Sequence, residues 1–459
     1  MNSSETGKRP YLVCLIAIVA AVGGFLFGYD LSIISGAMLF LKPEFGLTPD
    51  QVGLAVGSAL LGCMAGPLLG GTLSDRWGRR PTLIFAGLLF AAGSIGTTLP
   101  ANIVQFDLFR FLGGVGVGLA SVVSPMFIAE VSPPRIRGAL VTVNQLAVVV
   151  GLTCAVIVSY FLSFGGHWRW MLASNAVPVP IFVIGLLFVP ESPRWMAQKV
   201  RPQEALEVLT WIDGRESAES EMRDILASAE EQGAWRELLR PGMRLAMFIA
   251  CSLAVFQQVT GASILFMYMP TVFQEAGFNT PSDAILQNVL MSLWCVFCTI
   301  VALAAVDRLG RKPLLLLGTM GMTVGMAILG ALFHWHTTGL YVVLTMFLVV
   351  GAYLVSLAPL AWLIMSEIFP NRLRGKAMAV ASVCVWTASF LTALCFPPMV
   401  DWFKTAFGTP AMAFWIYAVV SAVAFFFSWI IVPETKGRTL EEIGASWSRT
   451  TQHNQGYRK

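Results

Sequence analysis

The sequence predicts an all-α membrane protein, with twelve transmembrane helices in two parallel-related six-helix halves. Three observations predict it. The chain is 56% hydrophobic, has a mean hydropathy of +0.72 and is only 12% charged, whereas a soluble domain carries about 25% charged residues. Its apolar residues fall into runs of the roughly 20 residues that a bilayer crossing needs. Three charged motifs also recur in order. "SDRWGRRP" (74–81) returns as "VDRLGRKP" (306–313), "AEVSPPRIRGALV" (129–141) as "SEIFPNRLRGKAM" (366–378), and "PESPR" (190–194) as "PETKGR" (433–438). Six spans bring the chain back to its starting side, so both copies share one orientation. That is the plan of parallel repeats about an axis along the membrane normal.

The expected spans are 11–41, 51–73, 81–99, 103–131, 138–163 and 170–190, then 244–275, 284–306, 313–334, 338–366, 376–400 and 410–432. All are read as helices, because an open sheet edge cannot satisfy its backbone in lipid. Several exceed the length of a vertical crossing, which predicts tilt or kinks. Span one follows a short polar Met1–Pro10 and is too long for the core of a cleavable leader. Span four carries "GGVGVGLAS" (113–121). No strand precedes it, so it is no phosphate loop; Gly and Ser there let helices approach closely. Span eleven contains Pro397 and Pro398, which predict a break or hinge. Between the two sets, the polar stretch 191–243 reads as short amphipathic helices such as "QEALEVLTWI" and "EMRDILASAEEQ". The chain thus divides into an N-terminal half (1–190), a cytoplasmic linker (191–243), a C-terminal half (244–432) and a cytoplasmic tail (433–459).

Basic residues set the topology. With the N-terminus inside, only Lys42, Arg169 and Lys404 of the 30 Lys and Arg fall in external loops. This positive-inside asymmetry places both termini in the cytoplasm and accounts for the net charge of +4 without a nucleic-acid partner. The eight cysteines fall within spans and none in an external loop, so no disulfide framework is expected. Cys295 and Cys298 read as packing residues. His334 and His336 do not fill a tetrahedral metal shell by themselves. No nucleophile–base or metal set appears, so an enzyme is not expected.

Two charges remain at membrane depth. Asp30 interrupts the apolar stretch "GGFLFGYDLSIISG" (23–36), and Arg110 lies early in span four. Each alone costs roughly 2.5–3.5 kcal/mol on insertion scales, so mutual pairing is the economical arrangement. A carboxylate beside an arginine gives up its proton, and one isolated in low dielectric keeps it. A cycle that opens and closes the pair would therefore couple proton uptake to conformation. A static structural ion pair is the alternative.

The motifs together carry a resemblance over essentially the whole chain. "GYD" (28–30), "GGTLSDRWGRRP" (70–81), "RFLGGVGVGLASVVSPMFIAEVSPPRIRG" (110–138), "PESPRW" (190–195), "QQVTG" (257–261), "VDRLGRKP" and "PETKGR" stand in order. In these the chain resembles the sugar porter family of the major facilitator superfamily, above all its bacterial proton-linked members. The resemblance implies the major facilitator fold and proton-coupled symport of a sugar or sugar-like polyol by alternating access. The proton is the coupling ion, and no other cofactor or metal is implied. It assigns proton coupling to Asp30 and Arg110. It assigns substrate binding to Phe27, Gln145, Gln257, Gln258 and Trp362, with Ser263 where relatives carry Asn and Trp386 retained in span eleven. Amides suit hydroxyls because they both donate and accept; the alternative is interhelical bonding that holds the bundle together. It also implies a cytoplasmic gate that ties the two halves together when the inside is shut, made of Asp75, Arg79, Glu130, Arg137, Glu191 and Arg194, with Asp307, Arg311, Glu367, Arg374 and Glu434 in the second half. The alternative for these is topology alone. Met267, Cys295, Leu152 and Val385 depart from the family's polar pattern, which points to an unusual pentose, deoxy-sugar, polyol or less polar solute. A passive facilitator and a non-transporting sugar sensor are the alternative functions; a sensor is expected to carry long terminal extensions. A monomer in a bacterial inner membrane is the expected setting.

Overall fold

The computed structural model describes residues 10–133, 136–199, 202–229 and 235–436, and every regular element among them is a helix. The first span is a single helix of 36 residues, α1 (Pro10–Phe45). That is about 54 Å of helix, well beyond the roughly 30 Å hydrocarbon core. Thr48 and Gln51 then exchange backbone and side-chain hydrogen bonds of 3.0 and 3.4 Å, a capping box that starts the next span. That span runs as α2 (Pro49–Cys63), breaks at Met64 and resumes as α3 (Ala65–Trp77). α4 (Arg79–Gly96) follows Gly78, and α5 (Ile103–Val131) begins where the Asn102 side chain accepts from the Gln105 N–H. After α6 (Arg137–Ser163), span six is split into α7 (Trp168–Ser174) and α8 (Pro178–Leu187). Pro178 has no N–H to continue the helical ladder across that gap.

The polar stretch folds into α9 (Pro193–Gln198), α10 (Pro202–Asp213) and α11 (Arg215–Ala229), followed by a 3₁₀ turn over Trp235–Leu239. Their apolar stripes make one small core: Met196, Val208, Leu209, Ile212 and Met222 pack with Val13 of α1. The linker helices are therefore tied to the start of the first span by burial of apolar surface.

The second set comprises α12 (Pro241–Val259), α13 (Ala262–Glu275), α14 (Pro281–Leu309), α15 (Arg311–His334), α16 (Leu340–Val355), α17 (Leu357–Glu367), α18 (Asn371–Phe407) and α19 (Ala411–Ile430). Span seven breaks at Gly261, whose φ of +84° is left-handed, a conformation that glycine adopts without a Cβ clash. Span ten breaks at Ser356. Among the described residues, eleven segments are long and apolar enough to cross a membrane. α4 is the twelfth, its average hydropathy lowered by Arg79 and Arg80 in its first turn.

One expectation is corrected. Pro397 and Pro398 do not break span eleven, because α18 runs through both. The prolines leave the Ala393 and Leu394 carbonyls without their usual donors, and a neighbouring helix takes up the first of them. Tyr268 Oη donates to the Ala393 carbonyl at 2.9 Å. The Leu394 carbonyl lies against Gly53, where an added Cβ would come within 2.4 Å of it. The glycine-rich face of α5 behaves as expected. Added Cβ atoms at Gly114 and Gly118 would meet the Ala59 and Cys63 carbonyls at 2.0 and 2.4 Å, so helix backbones touch there.

The chain resolves into two compact units. Among the described residues, one comprises 10–34, 58–133, 136–162, 167–199 and 202–229, the other 35–57, 163–166 and 235–436. The C-terminal end of α1 and the first half of α2 thus belong to the second unit. Asn288 of α14 reaches Ser35 there, with its Nδ2 3.4 Å from the hydroxyl.

Candidate functional site

In the first unit, α1 and α6 cross at backbone contact. A Cβ on Gly28 would lie 1.8 Å from the Val148 carbonyl, and one on Gly151 2.2 Å from the Phe25 carbonyl. This crossing fixes the stretch of α1 that carries Phe27, Tyr29 and Asp30. Tyr29 Oη donates to Ser174 Oγ at 2.8 Å, which ties the same stretch to the end of α7. Asp30 and Arg110 are both buried. Arg110 Nη1 donates to Asp30 Oδ1 at 2.6 Å, and Asn175 Nδ2 donates to the same oxygen at 3.0 Å. A charge-assisted bond of this kind is roughly twice as strong as a neutral one. The two charges singled out at membrane depth meet, and each offsets the cost of burying the other.

Asn175 is a neighbour of this pair that reading the sequence alone missed. It lies in the gap between α7 and α8, where the polar pair Ser174-Asn175 precedes Pro178. A polar amide in a proline-broken span is the signal that could have found it.

The remaining substrate candidates divide between the units. Phe27 is half-buried on α1 and Gln145 is exposed on α6. In the second unit, Gln257 and Gln258 are buried at the end of α12. Gln257 Nε2 donates to the Ala358 carbonyl of α17 at 2.8 Å, and its Oε1 accepts from Gln258 Nε2 at 3.3 Å. Ser263 Oγ donates to the Gln258 carbonyl at 3.0 Å, closing the break at Gly261. Trp362 is partly exposed on α17, and Trp386 is buried on α18. Met267 and Cys295, two positions where polar residues were expected, are buried.

Two charge clusters have the same design, one in each unit. In the first, Gly78 turns the chain from α3 into α4 with φ +103°. Arg79, buried, then holds Glu130 with two bonds: Nε to Oε2 at 2.8 Å and Nη2 to Oε1 at 2.9 Å. Its Nη1 donates to Asp75 Oδ1 at 3.0 Å. Glu191 accepts the N–H groups of Arg79 at 3.0 Å and Arg80 at 3.2 Å, so a carboxylate caps the positive end of α4. Ser192 Oγ completes the cluster by donating to Glu130. In the second, Gly310 has φ +92°, and Arg311 holds Glu367 at 3.0 Å. Glu434 accepts the N–H groups of Arg311 and Lys312 at 3.1 and 3.0 Å, and Thr435 Oγ1 donates to Glu367. The serine of "PES" and the threonine of "PET" thus do the same work.

Other gate candidates are placed differently. Arg137 donates to Glu221 of α11 at 3.3 Å, a partner in the linker that the sequence did not name. Arg194 is exposed on α9. Arg374 is half-buried, and its Nε has no hydrogen-bond partner among the described residues. The side chain of Asp307 lies outside the described residues.

The two capping carboxylates differ in proton affinity. Burial pushes Glu191 above the usual carboxylate range despite its N–H donors. For Glu434 burial pulls the same way, but the N–H groups of Lys436, Lys312, Arg311 and Thr435 outweigh it and hold it below that range. A depressed carboxylate adds stability that is complete above its unfolded pKa and lost as pH falls through its folded value. A raised one costs stability once ionised. At neutral pH, Glu434→Gln is therefore expected to lower the melting temperature more than Glu191→Gln. The gap should close as pH falls through the Glu434 range, as read by thermal unfolding in detergent.

Residues 16–447 match the model of a family described as "Sugar (and other) transporter". The arabinose-proton symporter of Bacillus subtilis is 37% identical to the chain over 446 residues, covering 95% of each sequence. The D-xylose-proton symporter of Escherichia coli K12 is 36% identical and covers 96% of each. Among solved structures, the inward open conformation of the E. coli xylose transporter XylE superposes with a TM-score of 0.83 at 34% identity, over 95% of this chain and all of that one.

Proposed function

This chain belongs to the sugar porter family of the major facilitator superfamily, and on that premise we propose that it carries a sugar or sugar-like polyol across the membrane with protons by alternating access. The buried Asp30–Arg110 pair is the observation that carries the proton-coupled reading. Both relatives named above are proton symporters by description, which supports the same reading. In one state of this cycle Asp30 is paired with Arg110 and Asn175. When the pair opens, the carboxylate loses two donors and takes a proton. A proton bound at Asp30 then favours the conformation in which the pair is apart, and its release favours the one in which it is closed. Coupling requires no more than this differential affinity between two states.

Phe27, Gln145, Gln257, Gln258, Ser263, Trp362 and Trp386 are proposed to face the solute. The amides bond its hydroxyls and the aromatic faces meet its C–H surfaces. Gln257 spends one N–H on Ala358 and its Oε1 accepts from Gln258, so its second N–H, the remaining Oε1 lone pair or exchange of either bond serves the solute. One lost hydrogen bond is worth about 0.5–1.5 kcal/mol, so Gln257→Ala is expected to raise the apparent KM by roughly 2- to 12-fold. Initial uptake rates across a substrate series check this.

The Arg79–Glu130–Glu191 and Arg311–Glu367–Glu434 clusters are proposed to lock the cytoplasmic ends of their own helices, so that each unit moves as a block. A passive facilitator is the second reading, favoured by the completeness with which Arg110 and Asn175 satisfy Asp30 Oδ1. Uptake into proteoliposomes, with a panel of pentoses, hexoses, deoxy-sugars and polyols under an imposed proton gradient, separates the two. Saturable uptake accelerated by inward protons supports symport. Uptake indifferent to the gradient supports facilitation. No uptake of any polyhydroxylated solute overturns both.

A further inference from the structure

Two unsatisfied buried atoms lie one helical turn apart on α5. Arg110 spends Nη1 on Asp30, while its Nε is buried without a hydrogen-bond partner among the described residues. Asp107 stands three residues earlier, and its Oδ1 is also buried without a partner. Side chains three apart on a helix are neighbours, with Cβ atoms about 5–6 Å apart. The two side chains therefore share one face of α5.

We propose that Asp107 is a second seat for the Arg110 guanidinium, taken when Asp30 binds a proton. The inference rests on the proton-coupled reading above. Once Asp30 is neutral, Arg110 is a buried cation with no counter-charge at its first seat, and such a charge is strongly unfavourable. The Oδ1 of Asn175 is also without a partner and can accept a bond, but it brings no charge. Asp107 brings both. It lies one turn nearer the start of α5, on the side that the basic-residue asymmetry assigns to the exterior. The proton that arrives at Asp30 comes from solution, and its charge takes over the role of the guanidinium there. Nothing else is consumed.

The surrounding groups leave Asp107 this role. Around the Asp30–Arg110 pair stand Tyr29 of α1, Cys63 of α2 and Asn175, which follows α7. Arg169 of α7 is engaged over the Trp168 ring, 4.3 Å from its centroid. The charged residues of α3 and α4, which pack along α5, are Asp75, Arg76, Arg79 and Arg80, all at the opposite ends of those helices.

The full chain in vesicles provides the test: solute uptake is measured against external pH under a fixed gradient. Without the second seat the protonated state is harder to reach, so Asp107→Asn should shift the midpoint of the pH profile toward acid by about one unit, roughly a tenfold rise in proton concentration. Asp107→Ser should shift it likewise, which guards against an assembly defect peculiar to the amide, and Asp107→Glu should restore the wild-type midpoint. Asp107→Asn and Asp107→Ser profiles that superimpose on wild type overturn the inference while leaving proton coupling intact. Failure of the coupling itself looks different, because the wild-type protein would then ignore the gradient. A double-variant cycle adds a readout that a structural role would not move. Solute exchange in Asp30→Asn/Asp107→Asn should fall at least tenfold below the product of the two single effects, and multiplicative effects count against a shared guanidinium.

Discussion

Asp30→Asn is expected to abolish accumulation of solute against its gradient while solute exchange down the gradient continues. At one proton per solute, an inward gradient of one pH unit supports roughly tenfold accumulation. The variant should equilibrate at the external concentration whatever gradient is imposed. The physical reason is local. Asparagine keeps the size of the side chain and an oxygen for Arg110 and Asn175 to reach, so the crossing of α1 with α6 is undisturbed. It cannot take up or release a proton, so the two conformations no longer differ in proton affinity and the gradient has nothing to act on. Accumulation that survives in Asp30→Asn removes the coupling role from this pair. Loss of exchange along with accumulation assigns the pair to structure instead. Counterflow measured beside gradient-driven uptake in the same vesicles distinguishes these outcomes.

How much of this was legible in the sequence follows from the range of the forces involved. A charge in an apolar run is conspicuous, and its cost requires a partner, so the residues alone suffice to pair Asp30 with Arg110. The repeat was legible for the same reason: Arg79 with Glu130 and Arg311 with Glu367 recur in order, and the structure gives both pairs the same turn at Gly78 and Gly310. Contacts decided by tertiary packing were not legible. Asn175 is one amide in a gap between helices, and nothing local says that it faces Asp30. Asp107 stands within two turns of a helix end, where a carboxylate reads as interfacial. The partnership of Arg137 with Glu221 depends on where α11 lies. Pro397 and Pro398 misled because a break is the local consequence of proline, whereas here Tyr268 satisfies the carbonyl that the first one frees. In each case the missing information was the identity of the neighbour.

Gly28→Val is expected to cost both stability and uptake without touching a charged group. The Cβ of the substitution would lie 1.8 Å from the Val148 carbonyl, and a backbone carbonyl in the middle of α6 has no rotamer by which to retreat. α1 must move or rotate away from α6, and Phe27, Tyr29 and Asp30 lie within one turn of the contact. Overpacking costs about 1–3 kcal/mol or more of stability, so the melting temperature of the detergent-solubilised protein should fall. Uptake should fall with it, because Asp30 moves with the displaced stretch of α1. Gly71→Val is the control: no atom lies within 4 Å of a Cβ at that position, and its cost should be limited to the intrinsic preference of the helix. If Gly28→Val transports as well as Gly71→Val, then α1 and α6 are not in backbone contact in the working protein. The placement of Asp30 would then owe its geometry to something other than this crossing.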